Sequence, residues 1–455
     1  MRIVLLWCMA LAAVSLILPS EPTYDPWAWI VWGREIAFLE LDTSGGPSWK
    51  PLPVLFTFVF APFGKLHDGI PPALWLVVAR VGTLLAMVMA FRLARRLAGP
   101  GRATGIGAGV VAATALALSP QWLRYAAHGN EAPLAVALML WGVERHLDGE
   151  RSHALVLGFL ACLLRPEVFP FLAAYGLWLW VAEPACRRLT TGLAVALPVL
   201  WLVPEWIGSG SPLSAGAQAR SEPSWSLSLA DRPWLEALER AHALLGPQIE
   251  FAMLAAVAFA LWRRDLRVVG LAGAAVLWVG LVVAMTQAGF SGNARYFLPA
   301  MVLACVLAGV GAARLAEAAG RPAAAVAVAV ALALAASPYL DRRVRVLADQ
   351  AEAAEQAADL HRDLRLTVRA AGGPDGVVAR GAPLVNRAFM THLAWETKLP
   401  IGVVERARGQ GLVFDSHARG SGVAAAVPQP PVPMRRVAGT VSWSAYEAQN
   451  VNELP

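Results

Sequence analysis

Between the first and second apolar runs the chain reads Tyr24-Asp25-Pro26-Trp27-Ala28-Trp29-Ile30-Val31-Trp32-Gly33-Arg34-Glu35, and then Gly45-Gly46-Pro47-Ser48-Trp49-Lys50-Pro51-Leu52-Pro53. An acid opens a Trp-rich amphipathic stretch a few residues past a hydrophobic run. A Trp-Lys-Pro then returns the chain to the next one. Trp and Tyr settle at a membrane–water interface because their rings are apolar and their tips polar. The loop is therefore expected to lie on a bilayer surface, with Trp27, Trp29 and Trp32 fixing its depth. It would hold a carboxylate and an ammonium where an enzyme needs them if one substrate is a lipid and the other is polar.

The rest of the chain supports a membrane setting. Of 455 residues, 57% are hydrophobic and only 15% charged, against about a quarter charged in a soluble chain; mean hydropathy is +0.53. Cys8, Cys162, Cys186 and Cys305 lie in or beside apolar runs without CxxC spacing, so they read as packing residues. The net charge of +6 comes almost wholly from arginines. They are spread along the ends of the apolar runs, which argues against a nucleic-acid partner.

A membrane-spanning helix needs roughly 20 apolar residues. Such runs fall near 3–19, 71–91, 104–122, 132–144, 153–165, 167–182, 189–207, 247–262, 268–287, 296–313 and 322–340, about eleven in all. The segment 52–63 is too short to cross and reads as interfacial or re-entrant. Arg2, the group Arg92, Arg95, Arg96 and Arg102, and then Arg145, Arg151, Arg187, Arg188, Arg263, Arg264, Arg267, Arg314 and Arg321 mark alternate ends as cytoplasmic. The N-terminus is then inside, and the 20–70 loop, the 208–246 loop and everything after 341 are outside. A cleaved signal peptide is the competing reading of residues 1–20, but no small-x-small site precedes Glu21. Residues 1–340 form the transmembrane domain on this reading, and 341–455 a small extracytoplasmic α/β domain. In that tail 341–371 reads as a helix, 384–393 as another, and 377–380, 411–414 and 436–441 as strands. The proline-rich 422–434 reads as a loop.

Polar side chains in or beside spans are costly unless they face a cavity or each other. On the outer side they collect in four places: Asp25, Arg34, Glu35, Asp42 and Lys50; Arg124, Tyr125, His128, Asn130 and Glu131; Arg165 with Glu167; and Asn293, Arg295 and Tyr296. Arg80, inside the second span, breaks the cytoplasmic pattern. Arg165-Pro166-Glu167 sits between two short apolar halves, as a turn sunk into a protein-lined cavity would; a local ion pair closing a helical hairpin is the blander alternative. His128 reads more readily as a local hydrogen-bonder than as a catalyst. No HExxH, GxSxG, Walker or GxGxxG arrangement with the right flanks is present.

Five short motifs in order resemble the GT-C superfamily of bacterial integral-membrane glycosyltransferases, which use polyprenyl-phosphate sugars. Asp25 resembles their catalytic acid at the start of the first outer loop, and Trp49-Lys50-Pro51-Leu52 their Lys-Pro-Pro-Leu type motif. Gly129-Asn130-Glu131-Ala132-Pro133-Leu134 is similar to their Gly-Leu-Glu-Thr-Pro-Leu, Leu164-Arg165-Pro166-Glu167 to their Arg-Pro-Glu, and Arg295-Tyr296 to their late Arg-Tyr motif. The match covers most of residues 1–300. It departs where the paired Asp-Glu of protein mannosyltransferases is Asp25-Pro26, so the acceptor class does not carry over.

The resemblance implies a multi-pass enzyme of the bacterial inner membrane that inverts a sugar from a polyprenyl-phosphate donor onto an extracytoplasmic glycan, lipid or protein. Asp25 would be the base. Lys50, Arg295, Arg165 and Arg80 would bind the donor phosphate, and Glu131, Glu167, His128, Asn130, Tyr296 and Trp49 would orient the substrates. No cofactor is called for. A divalent metal would sit among Asp25, Asp42 and Glu131, but a phosphate served by Lys and Arg does not require one. The partners are the donor, a cell-envelope acceptor and membrane lipids. A transporter or flippase of a lipid-linked saccharide is the alternative, although no internal repeat in hydropathy is evident. A non-catalytic membrane scaffold is a third reading that leaves Asp25 and Lys50 without a role.

Overall fold

The computed structural model describes residues 1–99, 101–220, 226–319, 322–407, 411–417 and 434–448. Among them, four helices are long and apolar enough to cross a membrane: Ile70–Leu97, Pro184–Ser209, Leu266–Gln287 and Ala294–Ala318. Two bent pairs, Ala103–Ala117 with Gln121–Ala127 (64°) and Pro233–Leu244 with Pro247–Arg263 (93°), raise the number to six if each is one span. Arg2–Ile17, Pro51–Lys65, Arg151–Cys162 and Pro166–Ala182 are apolar but shorter. Among the described residues, four to six helices thus meet this length and composition test. At the two bends, prolines at 120 and 247 open new helices, because proline suits a first turn and not a helix interior.

The innermost helix is Leu298–Ala318, whose residues 298–310 are all buried. Its neighbours come very close. A Cβ on Gly311 would lie 1.8 Å from the Ala252 carbonyl oxygen, so only glycine permits this approach to Pro247–Arg263. This rigid helix starts three residues after Arg295, which anchors that side chain.

The two ends of the bundle differ in chemistry. The Ile70–Leu97 helix has Trp75 at one end, donating to the Gly129 carbonyl at 2.8 Å. At its other end Arg92 pairs with Glu144 and Arg96 with Asp148. Arg314 reaches the Leu97 carbonyl and also Glu317, which Arg263 joins. The arginines expected at cytoplasmic ends therefore gather together, matched by acids.

The tail does not stand apart from the rest. One helix runs unbroken from Pro322 to Ala370, across the position where a span and a soluble helix were expected to part. Four strands follow in the order β1-β2-β4-β3: β1 Leu384–Val385, β2 Val413–Ser416, β3 Met434–Gly439 and β4 Trp443–Ala448. β1 and β2 are parallel and the other pairs antiparallel. Residues 377–380, expected as a strand, end the Gly373–Val378 helix instead, and 384–393 begins as β1 and becomes helical at Met390. Gly372, at φ +102°, sets the chain up for that short helix, a conformation with little cost for glycine alone. The stretch 422–433 lies outside the described residues.

The largest correction concerns the tryptophans. Trp27, Trp29 and Trp32, on the Tyr24–Phe38 helix, are fully buried and share one core with Leu360, Leu364, Leu393, Trp395 and Trp443 of the tail. They do not lie in an interface. Residues 26–33 are buried on every side of the helix, as expected of a helix that is hydrophobic all round. Burial of each ring is worth roughly 1.5–3 kcal/mol at least, on the scale of a fully buried Phe, so the tail is clamped to the segment that carries Asp25.

Candidate active site

At the end of the bundle opposite the paired arginines lies a cavity of about 1250 Å³. Asp25, Lys50, Arg165, Glu167 and Arg295 line it, together with His128, Asn130 and Tyr296. These residues come from five regions of the chain.

Asp25 stands in the first turn of the Tyr24–Phe38 helix. Its Oδ2 accepts from Arg295 Nη1 at 2.5 Å, with the two side chains 13% and 20% exposed. The Arg295 backbone is fixed by Asn293, whose Oδ1 accepts the Arg295 N–H at 3.1 Å.

Beneath the cavity surface Glu131 is entirely buried and pairs with two cations. Lys50 Nζ donates to its Oε1, and Arg165 Nη2 lies 3.3 Å from the same oxygen. Burial pushes the Glu131 carboxyl up, but Lys50, Arg165 and Arg295 outweigh it and hold the group at about 2. Burial lowers the Lys50 ammonium; Glu131 opposes this, and Arg165 and Arg295 push it down again. Arg165 also donates to Glu167 at 3.4 Å. The Arg165 and Arg295 guanidinium groups lie 5.2 and 5.7 Å from the Tyr296 ring centroid, so one ring carries both.

The turn that delivers Glu131 depends on Gly129, at φ +67° and packed against Trp75, a conformation glycine adopts with little cost. Asn130 lines the cavity and also accepts the Ala132 N–H at 3.0 Å, tying down the start of the Ala132–Leu147 helix. His128 Nδ1 lies 3.4 Å from the Glu21 carbonyl oxygen, and burial with Arg124 lowers its pKa.

Two expected members are elsewhere. Arg80 donates to Ser15 Oγ at 2.9 Å and is not among the cavity residues. Trp49 packs in the core shared with the tail, its indole N–H donating to the Leu200 carbonyl at 3.2 Å. The group Asp25, Asp42 and Glu131 does not assemble either. Asp42 accepts from the Ser44 N–H, while Asp25 and Glu131 are engaged by cations. Asn386 and Arg387 of the tail also line the cavity, and no sequence motif flags them.

A cavity lined by a carboxylate and three cations, at the rim of a bundle with apolar helices, offers a proton acceptor and positive charge for a phosphate. No family model matches this chain, and no curated protein matches it by sequence. Two crystal structures of ArnT from Cupriavidus metallidurans are similar in structure. The one bound to undecaprenyl phosphate is 15% identical, covers 100% of this chain and 99% of that chain, and has a TM-score of 0.50. The apo form is 16% identical over 97% of each chain, with a TM-score of 0.54. At this identity the likeness is one of fold: the chain has an ArnT-like architecture along nearly its whole length.

Proposed function

We propose that the chain is a glycosyltransferase that moves a sugar from a polyprenyl-phosphate donor to an acceptor hydroxyl, with inversion, at the extracytoplasmic face of a bacterial inner membrane. The observation that carries this reading is the gathering of Asp25, Lys50, Arg165 and Arg295 on one cavity within an ArnT-like fold. In ArnT that fold holds undecaprenyl phosphate. The acceptor is a cell-envelope glycan, lipid or protein. The arginines at the far end of the bundle support a cytoplasmic N-terminus by the positive-inside rule.

In this mechanism Asp25 takes the proton of the acceptor hydroxyl as the acceptor oxygen bonds to the anomeric carbon. The bond from that carbon to the phosphate oxygen breaks, and the polyprenyl phosphate leaves with the electron pair. Lys50, Arg165 and Arg295 stabilise the negative charge on the departing phosphate in a partly dry site, where fixed charges act more strongly than in water. Arg295, which pairs with Asp25, turns to the phosphate when donor enters. Glu131 orients Lys50 and Arg165, while Glu167, Tyr296, His128 and Asn130 face the sugar. The full chain in detergent, given a radiolabelled polyprenyl-phosphate sugar and cell-envelope acceptor, should release polyprenyl phosphate as label enters the acceptor. Movement of intact donor across a vesicle membrane, with no bond cleaved, would replace this reading with a transporter.

A further inference from the structure

Behind the His128 side of the cavity lies a second polar cluster that the transfer chemistry does not use. Glu21, His361 and His392 each offer a ligand atom, and these atoms all lie within 4.8 Å of one another. Among the described residues this is the group of three or more His, Cys, Asp or Glu with such spacing. The three come from distant places: Glu21 four residues before Asp25, His361 on the Pro322–Ala370 helix, and His392 on the Met390–Thr397 helix.

The imidazoles are built as ligands are. His361 Nδ1 and His392 Nδ1 face each other at 2.9 Å. Two nitrogens bound to one tetrahedral zinc, at about 2.0–2.1 Å each, would stand about 3.3 Å apart, so a small opening admits an ion. His392 Nε2 is 3.1 Å from Glu396 Oε1, and Arg365 Nε donates to the same oxygen at 2.9 Å. A carboxylate on the far nitrogen fixes the tautomer that leaves Nδ1 bare and raises its basicity, the usual support behind a metal-bound histidine. The rings are held as well. His392 stacks on Trp27 with centroids 4.5 Å apart, and His361 packs on Phe389 at 4.7 Å. Arg365 Nη2 also lies 3.6 Å from Glu21 Oε1.

We propose that Glu21, His361 and His392 form a divalent transition-metal site, best suited to zinc, that clips the tail to the segment carrying Asp25. Two imidazoles and one carboxylate suit zinc by ligand type, and a water completes a tetrahedral set. The site is structural, since its ligands are separate from the Asp25–Arg295 pair. Because it joins residue 21 to residues 361 and 392, it holds the start of the Tyr24–Phe38 helix in register with the cavity.

The test uses the full chain purified in detergent, stripped with EDTA and titrated with Zn²⁺ or Co²⁺ alone. One metal per chain should bind, the thermal midpoint should rise with Zn²⁺, and Co²⁺ should give the intense visible bands of tetrahedral coordination. His361→Gln, His392→Gln and Glu21→Gln should each lose stoichiometric binding, while His417→Gln, outside the cluster, should keep it. The wild-type titration needs no variant to fold, so it decides by itself. Absence of binding and of any thermal shift in the wild-type protein would overturn the site and leave a hydrogen-bonded histidine pair; unchanged stoichiometry in all three ligand variants would place the metal elsewhere and overturn it equally.

Discussion

Replacing Glu131 with Gln separates the electrostatics of the site from its shape. Glu131 is wholly buried and serves Lys50 and Arg165 at once. Its carboxyl moves from the ordinary 4.5 to about 2, so its stabilising contribution is present above pH 4.5 and lost as the pH falls towards 2. That drop corresponds to about 3 kcal/mol, at the lower edge of the ~3–5 kcal/mol measured when one partner of a buried ion pair is removed. At neutral pH the Glu131→Gln variant should forfeit this contribution, read as a lower thermal midpoint by tryptophan fluorescence in detergent. A second effect follows from Lys50, which burial already lowers and Glu131 alone among its larger influences raises, with Asp25 a smaller help. Without Glu131 the lysine loses its proton at a lower pH than in the native protein. Transfer by the variant should therefore fall off on the alkaline side, by about tenfold per pH unit beyond the shifted pKa, and recover on acidification. A variant as stable as the native chain, with the same pH profile of kcat/KM, would refute the assignment of Glu131 as the counter-charge of Lys50 and Arg165.

Lys50→Met and Arg295→Met should each weaken donor binding and slow transfer, because the leaving phosphate loses a preorganised cation, an effect of roughly 10²–10³-fold for one donor in comparable sites; unchanged turnover in both would assign them to structure. Arg80→Met should leave the transfer rate within about twofold of native, since its guanidinium meets Ser15 and not the cavity. A loss of about tenfold or more, on the scale of 1.4 kcal/mol, would return Arg80 to the phosphate. Glu35 is buried and its carboxyl is pushed up to about 8, by burial first, against the Asp42 N–H and Arg34. It binds its proton more tightly when folded, so its contribution is complete below pH 4.5 and is lost as the pH rises through 8, with a slope of up to about 1.4 kcal/mol per pH unit. Thermal scans between pH 5 and 8 should show that loss, and Glu35→Gln should flatten it.

Much of this site could be read from the sequence because its parts are charged residues in or beside apolar runs. Asp25, Lys50, Glu131, Arg165 and Arg295 stand out against such a background, and cost confines them to a shared cavity. Trp27, Trp29 and Trp32 could not be placed the same way. An amphipathic ring suits an interface and a protein core equally, and only the tail, more than three hundred residues away, decides between them. An intramembrane arginine signals a polar partner without saying which, and Arg80 meets Ser15. His361 and His392 carry no motif. They sit 31 residues apart on two helices, and the third ligand precedes them by 340 and 371 residues, so the cluster exists only once the tail has docked. The strand expected at 377–380 failed for a local reason: Gly372 and Gly373, both at positive φ, turn the chain into a short helix.

The central claim is that Asp25 accepts the acceptor's proton, and Asp25→Asn tests it most directly. The amide keeps the size of the side chain and an oxygen for Arg295, which now sits 2.5 Å from the carboxylate. The full-length variant should insert, hold its thermal midpoint near native and bind the polyprenyl-phosphate sugar at least as well, because Arg295 is no longer drawn to a carboxylate. Its transfer rate should fall by about 10²–10⁴-fold, the usual worth of a positioned base, or about 2.7–5.5 kcal/mol in the barrier. Binding and transfer measured side by side with a radiolabelled donor give the answer: retained binding with lost transfer is the result expected, and near-native transfer by Asp25→Asn would contradict the account.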